Sequence, residues 1–279
     1  EWYTGVCLLI MDFHLLVHNV TSVISAVIAF ATAIFVFLNA PKKRVNILAS
    51  LLFFSVAVFI AGHAAGVSVA DPLLSRSLLL LNLSVFFIAS FNYHAVLALI
   101  KKEREHCTAI ALVHISAVLF AGMFILFPDL FLLPSEPKMY FPNYYEPGLF
   151  NWTRMAFLYA LVLPLTLYYL IRAYAESASS IEKNQYKFFA LTMAFGYVVS
   201  FFPNFLVYDI PIDPMWGTRF AVFFAVPFVY GAVQYGLFNI KVIAKQAFWY
   251  GGTVALVGGF ITFINFLDQW VRSAYPLFP

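Results

Sequence analysis

Histidine is the residue type in this chain best suited to chemistry in an apolar setting, and its spacing suggests two ligand sets. His94 and His114 each stand about six residues from the same-side end of a long apolar stretch, so they fall at similar depth. Facing one another across an antiparallel helix pair, two imidazoles could hold a haem or a metal. His14 and His18 are four apart, share a face if their segment is helical, and with His63 would make a three-histidine metal set. Neutral histidines hydrogen-bonded across helices account for the same positions without metal. A second constellation sits at the opposite ends of the stretches, where Arg154, Arg219, Asp209 and Asp213 lie near Tyr144, Tyr145, Trp152 and Trp216 in sequence. Guanidinium groups, carboxylates and aromatic rings together can clamp a small polar ligand, which makes Tyr144, Tyr145, Trp152, Arg154, Asp213, Trp216 and Arg219 the candidate binding residues. The plainer alternatives are arginine–aspartate pairs and an aromatic belt at a membrane surface. No nucleophile stands beside a base and no carboxylate pair is spaced for acid–base work, so no catalytic residue is expected.

These side chains must be positioned by eight apolar stretches, at 20–38, 47–67, 77–100, 108–127, 152–174, 186–206, 218–236 and 247–267. Each is near the ~20 residues a helix needs to cross ~30 Å of hydrocarbon. They are apolar around the whole circumference, and 63% of the chain is hydrophobic against 10% charged, which excludes a water-soluble fold. The expected fold class is an all-α, polytopic membrane helical bundle. Residues 5–11 (GVCLLIM) are too short to cross and are followed by Asp12, so an outer-surface or re-entrant segment is expected there.

Orientation follows from the connectors. One side carries Lys42, Lys43, Arg44, Lys101, Lys102, Arg104, Arg172, Lys183, Lys187, Lys241 and Lys245, eleven of the 16 basic residues, and is expected in the cytoplasm. Both ends of the chain then lie outside. The net charge of +3 is a topology signal and not a nucleic-acid footprint. Cys7 and Cys107 fall on opposite sides, so no disulfide joins them within one molecule. The chain opens on Glu1 and not Met, as a processed chain or a fragment would.

The longest connector, 128–151 (PDLFLLPSEPKMYFPNYYEPGLFN), holds five prolines that forbid regular helix and enough aromatic area to pack onto the bundle. An ordered lid and a simple interfacial belt are both open there. Pro164, Pro203 and Pro227 should kink the fifth, sixth and seventh helices and open space for a ligand or shape packing. In the eighth stretch Gly251, Ala255 and Gly259 form a small-residue stripe suited to a partner helix or to packing within the bundle, and GHAAG at 62–66 is a similar feature in the second. The 33 Phe either face lipid or line grooves for a lipid tail, quinone or pigment, and no cofactor is required.

Four segments, NAPKKRVNILASLLFFSVAVFIAGHAAG (39–66), FNYHAVLAL (91–99), YYEPGLFNWTRMAFLYALVL (144–163) and VYGAVQYGLFNIKVIAKQAFWYG (229–251), resemble in order and spacing a known family. This is the seven-helix N-terminal sensor region of bacterial membrane histidine kinases. The run from Tyr235 through Asn239 and Lys241 is similar to the family's cytoplasmic exit from the seventh helix, with Gly236 and Asn239 where Arg and Asp are usual. His94 matches a histidine often found at the end of the third helix. The resemblance implies a signal-input module in the bacterial cytoplasmic membrane, with Tyr235, Asn239 and Lys241 in the connector that transmits to a cytoplasmic effector. No kinase signature is present, and the eighth helix returns the chain outside.

The expected organisation is therefore an interfacial segment (1–18), a seven-helix sensor-like bundle (19–236), a cytoplasmic connector (237–246), an eighth helix (247–267) and an outer tail (268–279). The expected function is non-catalytic sensing of a small ligand or membrane state. The alternative is an accessory subunit of a larger respiratory or photosynthetic membrane complex, contacting pigment, quinone or lipid. Expected partners are membrane lipid and transmembrane subunits or a second copy through the eighth helix, without nucleic acid.

Overall fold

Helix is the only way most of this chain can satisfy its backbone in hydrocarbon, and long helices dominate. The computed structural model describes residues 2–39, 42–214, 216–217, 227–228 and 230–231, all within the first of the two units of the chain, Glu1–Ile240. Among them six helical segments are long and apolar enough to cross a membrane: Phe13–Leu38, Arg44–Ser68, Pro72–Leu99, Cys107–Leu126, Asn151–Glu176 and Ser180–Val207. The seventh and eighth expected spans lie outside the described residues, apart from Pro227, Phe228, Tyr230 and Gly231. With them go the kink at Pro227 and the positions Arg219, Tyr235, Asn239, Lys241, Gly251, Ala255 and Gly259.

The first helix, α1, runs unbroken from Trp2–Asn39, so residues 5–11 continue the helix of the first span, whose part long and apolar enough to cross a membrane begins at Phe13. A single charge does not end a helix, and no proline interrupts residues 2–39. At ~1.5 Å per residue its 38 residues reach about 57 Å, well beyond the hydrocarbon thickness. Helix α2 (Arg44–Ser68) packs along α1, and its Ser50 hydroxyl donates to Ala33 O at 2.7 Å. The third span is composite: α3 (Pro72–Leu79), a 3₁₀ turn (Leu80–Leu83) and α4 (Ser84–Leu99). Asp71 starts it as N-cap, accepting from Leu74 N at 2.7 Å, with Pro72 in the first turn where its missing N–H costs nothing.

Gly62 and Gly66 let α2 approach this span. A Cβ at Gly66 would stand 2.6 Å from Leu79 Cγ, and one at Gly62 would collide with Leu81 Cβ. The GHAAG motif thus serves packing inside the bundle.

Helix α5 (Cys107–Leu126) packs on α4 and is otherwise largely lipid-facing, with Leu112, Ile115, Val118, Leu119 and Leu126 exposed. The fifth span begins as α6 (Asn151–Met155), passes through a π-helical segment (Ala156–Val162) and continues as α7 (Leu163–Glu176). Pro164 cannot donate to Ala160 O, so the loosened winding just before it is where a helix with that defect relaxes. Helix α8 (Ser180–Val207) is capped by Ser179, which accepts from Glu182 N at 3.3 Å. Pro203 inside α8 leaves Val199 O without its helical donor, and Asn204 Nδ2 bonds to Ser200 O and Phe201 O beside it.

The connector at 128–151 is an antiparallel hairpin, β1 (Leu132–Lys138) and β2 (Phe141–Pro147), a feature absent from the all-α expectation. Its register shifts fall between Leu133 and Ser135 and between Glu136 and Lys138, at Pro134 and Pro137. A proline cannot donate to a ladder, and a bulge is where a strand accommodates it. The prolines that forbid helix are therefore compatible with a short, irregular ribbon. Phe131, Leu132, Phe141, Tyr144 and Tyr145 are buried, so the ribbon is an ordered cover over the bundle.

Candidate functional site

Beneath the hairpin the described helices line a partly open cavity of about 150 Å³. Its walls are mostly apolar: Leu52, Phe53, Val56, Phe59 and Ile60 come from α2, and Val85 and Ile88 from α4. Leu158 of the π segment and Phe189 and Met193 of α8 complete this part. The π segment matters here because its winding places Leu158 and Tyr159 on the cavity while Arg154 sits one turn before them. An apolar cavity of this size holds a single aromatic ring or its equivalent. The polar wall residues include His63, Asn92, Arg154, Tyr159, Tyr197, Ser200 and Asn204.

Arg154 is only 4% exposed, which corrects its placement on an outer rim. Its Nη2 donates to Asn204 Oδ1 at 2.8 Å and to Tyr145 Oη at 3.2 Å. Among the described residues no aspartate pairs with Arg154, and Arg219 lies outside them. Asp209 instead accepts from Lys138 at 2.7 Å, and Asp213 accepts from the Tyr140 hydroxyl at 2.5 Å with His14 Nδ1 at 3.7 Å. Burial of the guanidinium was missed because its partners come from distant segments, Tyr145 on the hairpin and Asn204 beside the proline of α8.

Three wall residues keep a buried polar atom with no hydrogen-bond partner among the described residues: Arg154 Nε, His63 Nε2 and Asn92 Oδ1. His63 Nδ1 lies 3.5 Å from the Asn82 amide nitrogen, and with that amide donating, the imidazole carries its proton on Nε2. Arg154 and His63 thus bring two unused donors to one cavity, and Asn92 brings an unused acceptor. Asn92 Nδ2 is itself engaged, donating to Tyr197 Oη at 3.0 Å, while Tyr159 and Ser200 share a hydroxyl–hydroxyl bond of 2.7 Å. Buried polar atoms are nearly always satisfied, so these three on one cavity wall are suited to pairing with a bound polar group.

The hairpin seals this end. His63 meets the edges of Tyr144 and Tyr145, with ring centroids at 5.8 and 6.3 Å, and the two tyrosines stack 5.8 Å apart. The Tyr144 hydroxyl donates to Pro203 O at 2.8 Å; burial, reinforced by Tyr145 and Tyr140, holds its pKa well above the ordinary phenol value and keeps the donor protonated. Asn143 Nδ2 reaches Val69 O at 2.6 Å and Ala70 O at 3.0 Å.

Lys138, which sequence reasoning did not single out, pins the ribbon to the end of α8 through Leu206 O at 3.1 Å and Asp209 at 2.7 Å, with Glu146 at 2.6 Å. It caps carbonyls that the helix end leaves open. Burial opposes its charge, but Asp209 and Glu146 outweigh that and raise its pKa. Its contribution is therefore full below the ordinary lysine value of ~10.4 and lost as pH rises through the raised value. Lys138→Met should destabilise the cover by about 1–2 kcal/mol, seen as faster proteolysis within 132–147, and should abolish the strongly alkaline loosening of wild type.

At the lysine-rich end, His94 and His114 do meet, as hydrogen-bond partners: His94 Nδ1 lies 3.0 Å from His114 Nε2, and His94 Nε2 lies 2.9 Å from Glu103 Oε1. A metal at this pair would have to displace the ring-to-ring bond, and no group of three or more His, Cys, Asp or Glu residues among the described ones could hold a metal ion. The carboxylate arrives through local backbone chemistry. Lys101 adopts a left-handed conformation (φ 62°) and Lys102 N donates to Leu97 O at 2.8 Å, a turn that folds the chain back under α4. Glu103 is also 3.2 Å from Arg44 Nε, so α2, α4 and α5 are tied together here.

Of the expected ligand residues, Tyr144, Tyr145 and Arg154 converge at the hairpin end of the cavity, and Asp213 holds the hairpin through Tyr140. Trp152 and Trp216 do not join them; they are 60% and 57% exposed, as amphipathic rings at a membrane surface are. Asn92 and Tyr159 were missed because neutral polar residues inside a span give no signal beyond ordinary interhelical bonding. Comparison with protein-family models, curated proteins and solved structures found no match to this chain.

Proposed function

We propose that this protein is a non-catalytic signal-input module whose covered intramembrane cavity takes a small, largely apolar ligand. The observation that carries the reading is the cavity of about 150 Å³ with three unsatisfied polar atoms on its wall. A structural bundle gains nothing from leaving such atoms unpaired, whereas a site for an absent molecule requires them. The resemblance to the seven-helix sensor region supports the same reading and a bacterial cytoplasmic membrane location; the eighth apolar stretch adds a further span, and the excess of Lys and Arg puts the lysine-rich end in the cytoplasm.

Transmission has a physical route in α4. Val85, Ile88 and Asn92 line the cavity, while His94, two residues on and so on the opposite face, bonds to His114 and Glu103. A ligand that shifts α4 by a fraction of an ångström alters this cluster, and a few kcal/mol of differential binding suffices to change its populations. Glu103→Gln should weaken the coupling by removing the charge that faces both Arg44 and His94. Its expected signature is reduced ligand response at the lysine-rich end with ligand affinity kept within about twofold.

The test uses Cys107, exposed at the start of α5, as the attachment point for an environment-sensitive fluorophore in a Cys7→Ser background. Phenylacetate, phenylacetamide and indole are titrated onto the chain in lipid nanodiscs. A saturable signal is expected from at least one probe and is expected to vanish in Gly196→Leu. Gly196 lines the cavity and a Cβ there meets nothing within 4 Å among the described residues, so a leucine is placed to occupy it. No saturable signal from any probe, or one unaffected by Gly196→Leu, contradicts the reading.

A further inference from the structure

We infer that the cavity's occupant is an apolar carboxylate, its head between Arg154 and His63 and its hydrocarbon body against α2, α4 and α8; this rests on the cavity being a ligand site. Arg154 is the only charged side chain among the described wall residues, and no described carboxylate forms an ion pair with it. The two partners of its Nη2, Tyr145 Oη and Asn204 Oδ1, are neutral. A cation held away from water by neutral dipoles alone is costly, and a counter-anion is what removes the cost.

The donor pattern narrows the class. Arg154 Nε and His63 Nε2 are both buried and unsatisfied, on residues 4% and 6% exposed. A carboxylate presents two acceptor oxygens and no donor, and can take one bond from each. A single cation suits a monoanion; a phosphate dianion would bring more charge than the wall offsets. An alcohol or ketone could accept a bond but would leave the guanidinium uncompensated. Most of the rest of the described wall, with Leu52, Phe53, Phe59, Ile88 and Leu158, suits an apolar body, and the volume fits a ring or the first part of a chain whose tail extends through the open side.

Such a molecule could come from water or from the bilayer, so the test has two arms. Phenylacetate and decanoate are each compared with their own amides by equilibrium dialysis against the full chain in phosphatidylcholine nanodiscs. At least one carboxylate is expected to bind about 30-fold or more tightly than its amide, the scale of a buried hydrogen-bonded charge pair. Arg154→Met should bring that carboxylate down to the amide's affinity, while Arg154→Lys keeps part of the preference. Should Arg154→Met not assemble, His63→Phe, which removes the second donor and keeps the charge, should lower the preference about tenfold. Binding of phenylacetate alone identifies a water-borne ligand and of decanoate alone a bilayer-borne one, and both support the inference. Amides that bind as tightly as the carboxylates, with binding lost in Gly196→Leu, overturn the carboxylate and leave the cavity as a ligand site. No saturable binding of acid or amide overturns both, and a preference that survives Arg154→Met overturns the role of Arg154.

Discussion

Arg154→Met is expected to leave the bundle within about 1 kcal/mol of wild-type stability, or more stable, while abolishing the response to anionic probes. Methionine occupies nearly the same volume and spares the cost of a buried charge that has only neutral partners, Tyr145 and Asn204. Against that gain stands the loss of two hydrogen bonds, each worth about 1–3 kcal/mol when its acceptor stays buried. The two effects nearly cancel in stability, whereas nothing in methionine replaces the charge for a ligand. Thermal unfolding in nanodiscs, with and without phenylacetate, separates them. If the variant loses several kcal/mol of stability in the absence of any probe, Arg154 is also a structural strut, and the His63→Phe comparison decides its role as a ligand group.

Gly66→Leu should be among the most damaging single substitutions in the described part of the bundle. A Cβ there would stand 2.6 Å from Leu79 Cγ and 3.2 Å from the Leu79 backbone nitrogen, so α2 and α3 must separate. The cost is about 3 kcal/mol or more, a large part of the stability of an ordinary domain. His63 lies one turn before Gly66, and the separation would also draw its ring from Tyr144, Tyr145 and Asn82. Low yield of folded protein after mild detergent extraction is the expected result. Normal yield and normal unfolding would mean that α2 does not depend on close approach at GHAAG.

Much of the frame was legible in the sequence because hydrocarbon leaves the backbone so few choices. All six described spans fall on expected stretches, since a run of about 20 apolar residues has no other stable state in a membrane. The start of α1 was not legible, because Asp12 reads as an interruption although helix geometry tolerates one charge. The order of the 128–151 connector could be inferred from its aromatic area, but its hairpin could not, since Pro134 and Pro137 enter a strand only through bulges. Equal depth allowed His94 and His114 to meet but did not require it. The carboxylate that completes the cluster was not legible, because Glu103 sits in a connector and reaches His94 through a turn with a left-handed lysine. Arg154 was the largest surprise: a charge one turn into a span normally reads as a surface anchor, and only the three-dimensional approach of Tyr145 and Asn204 turns it inward.

The central claim is that the space beneath the hairpin is a ligand site, and its most direct measurement is the stoichiometry of probe binding in the wild-type chain and in Gly196→Leu. Saturation by phenylacetate, phenylacetamide or indole at about one molecule per chain, with no saturable binding to the leucine variant at equal folded yield, is the result this account predicts. Equal binding to both proteins, or only the non-saturating partition that lipid alone shows, would contradict it.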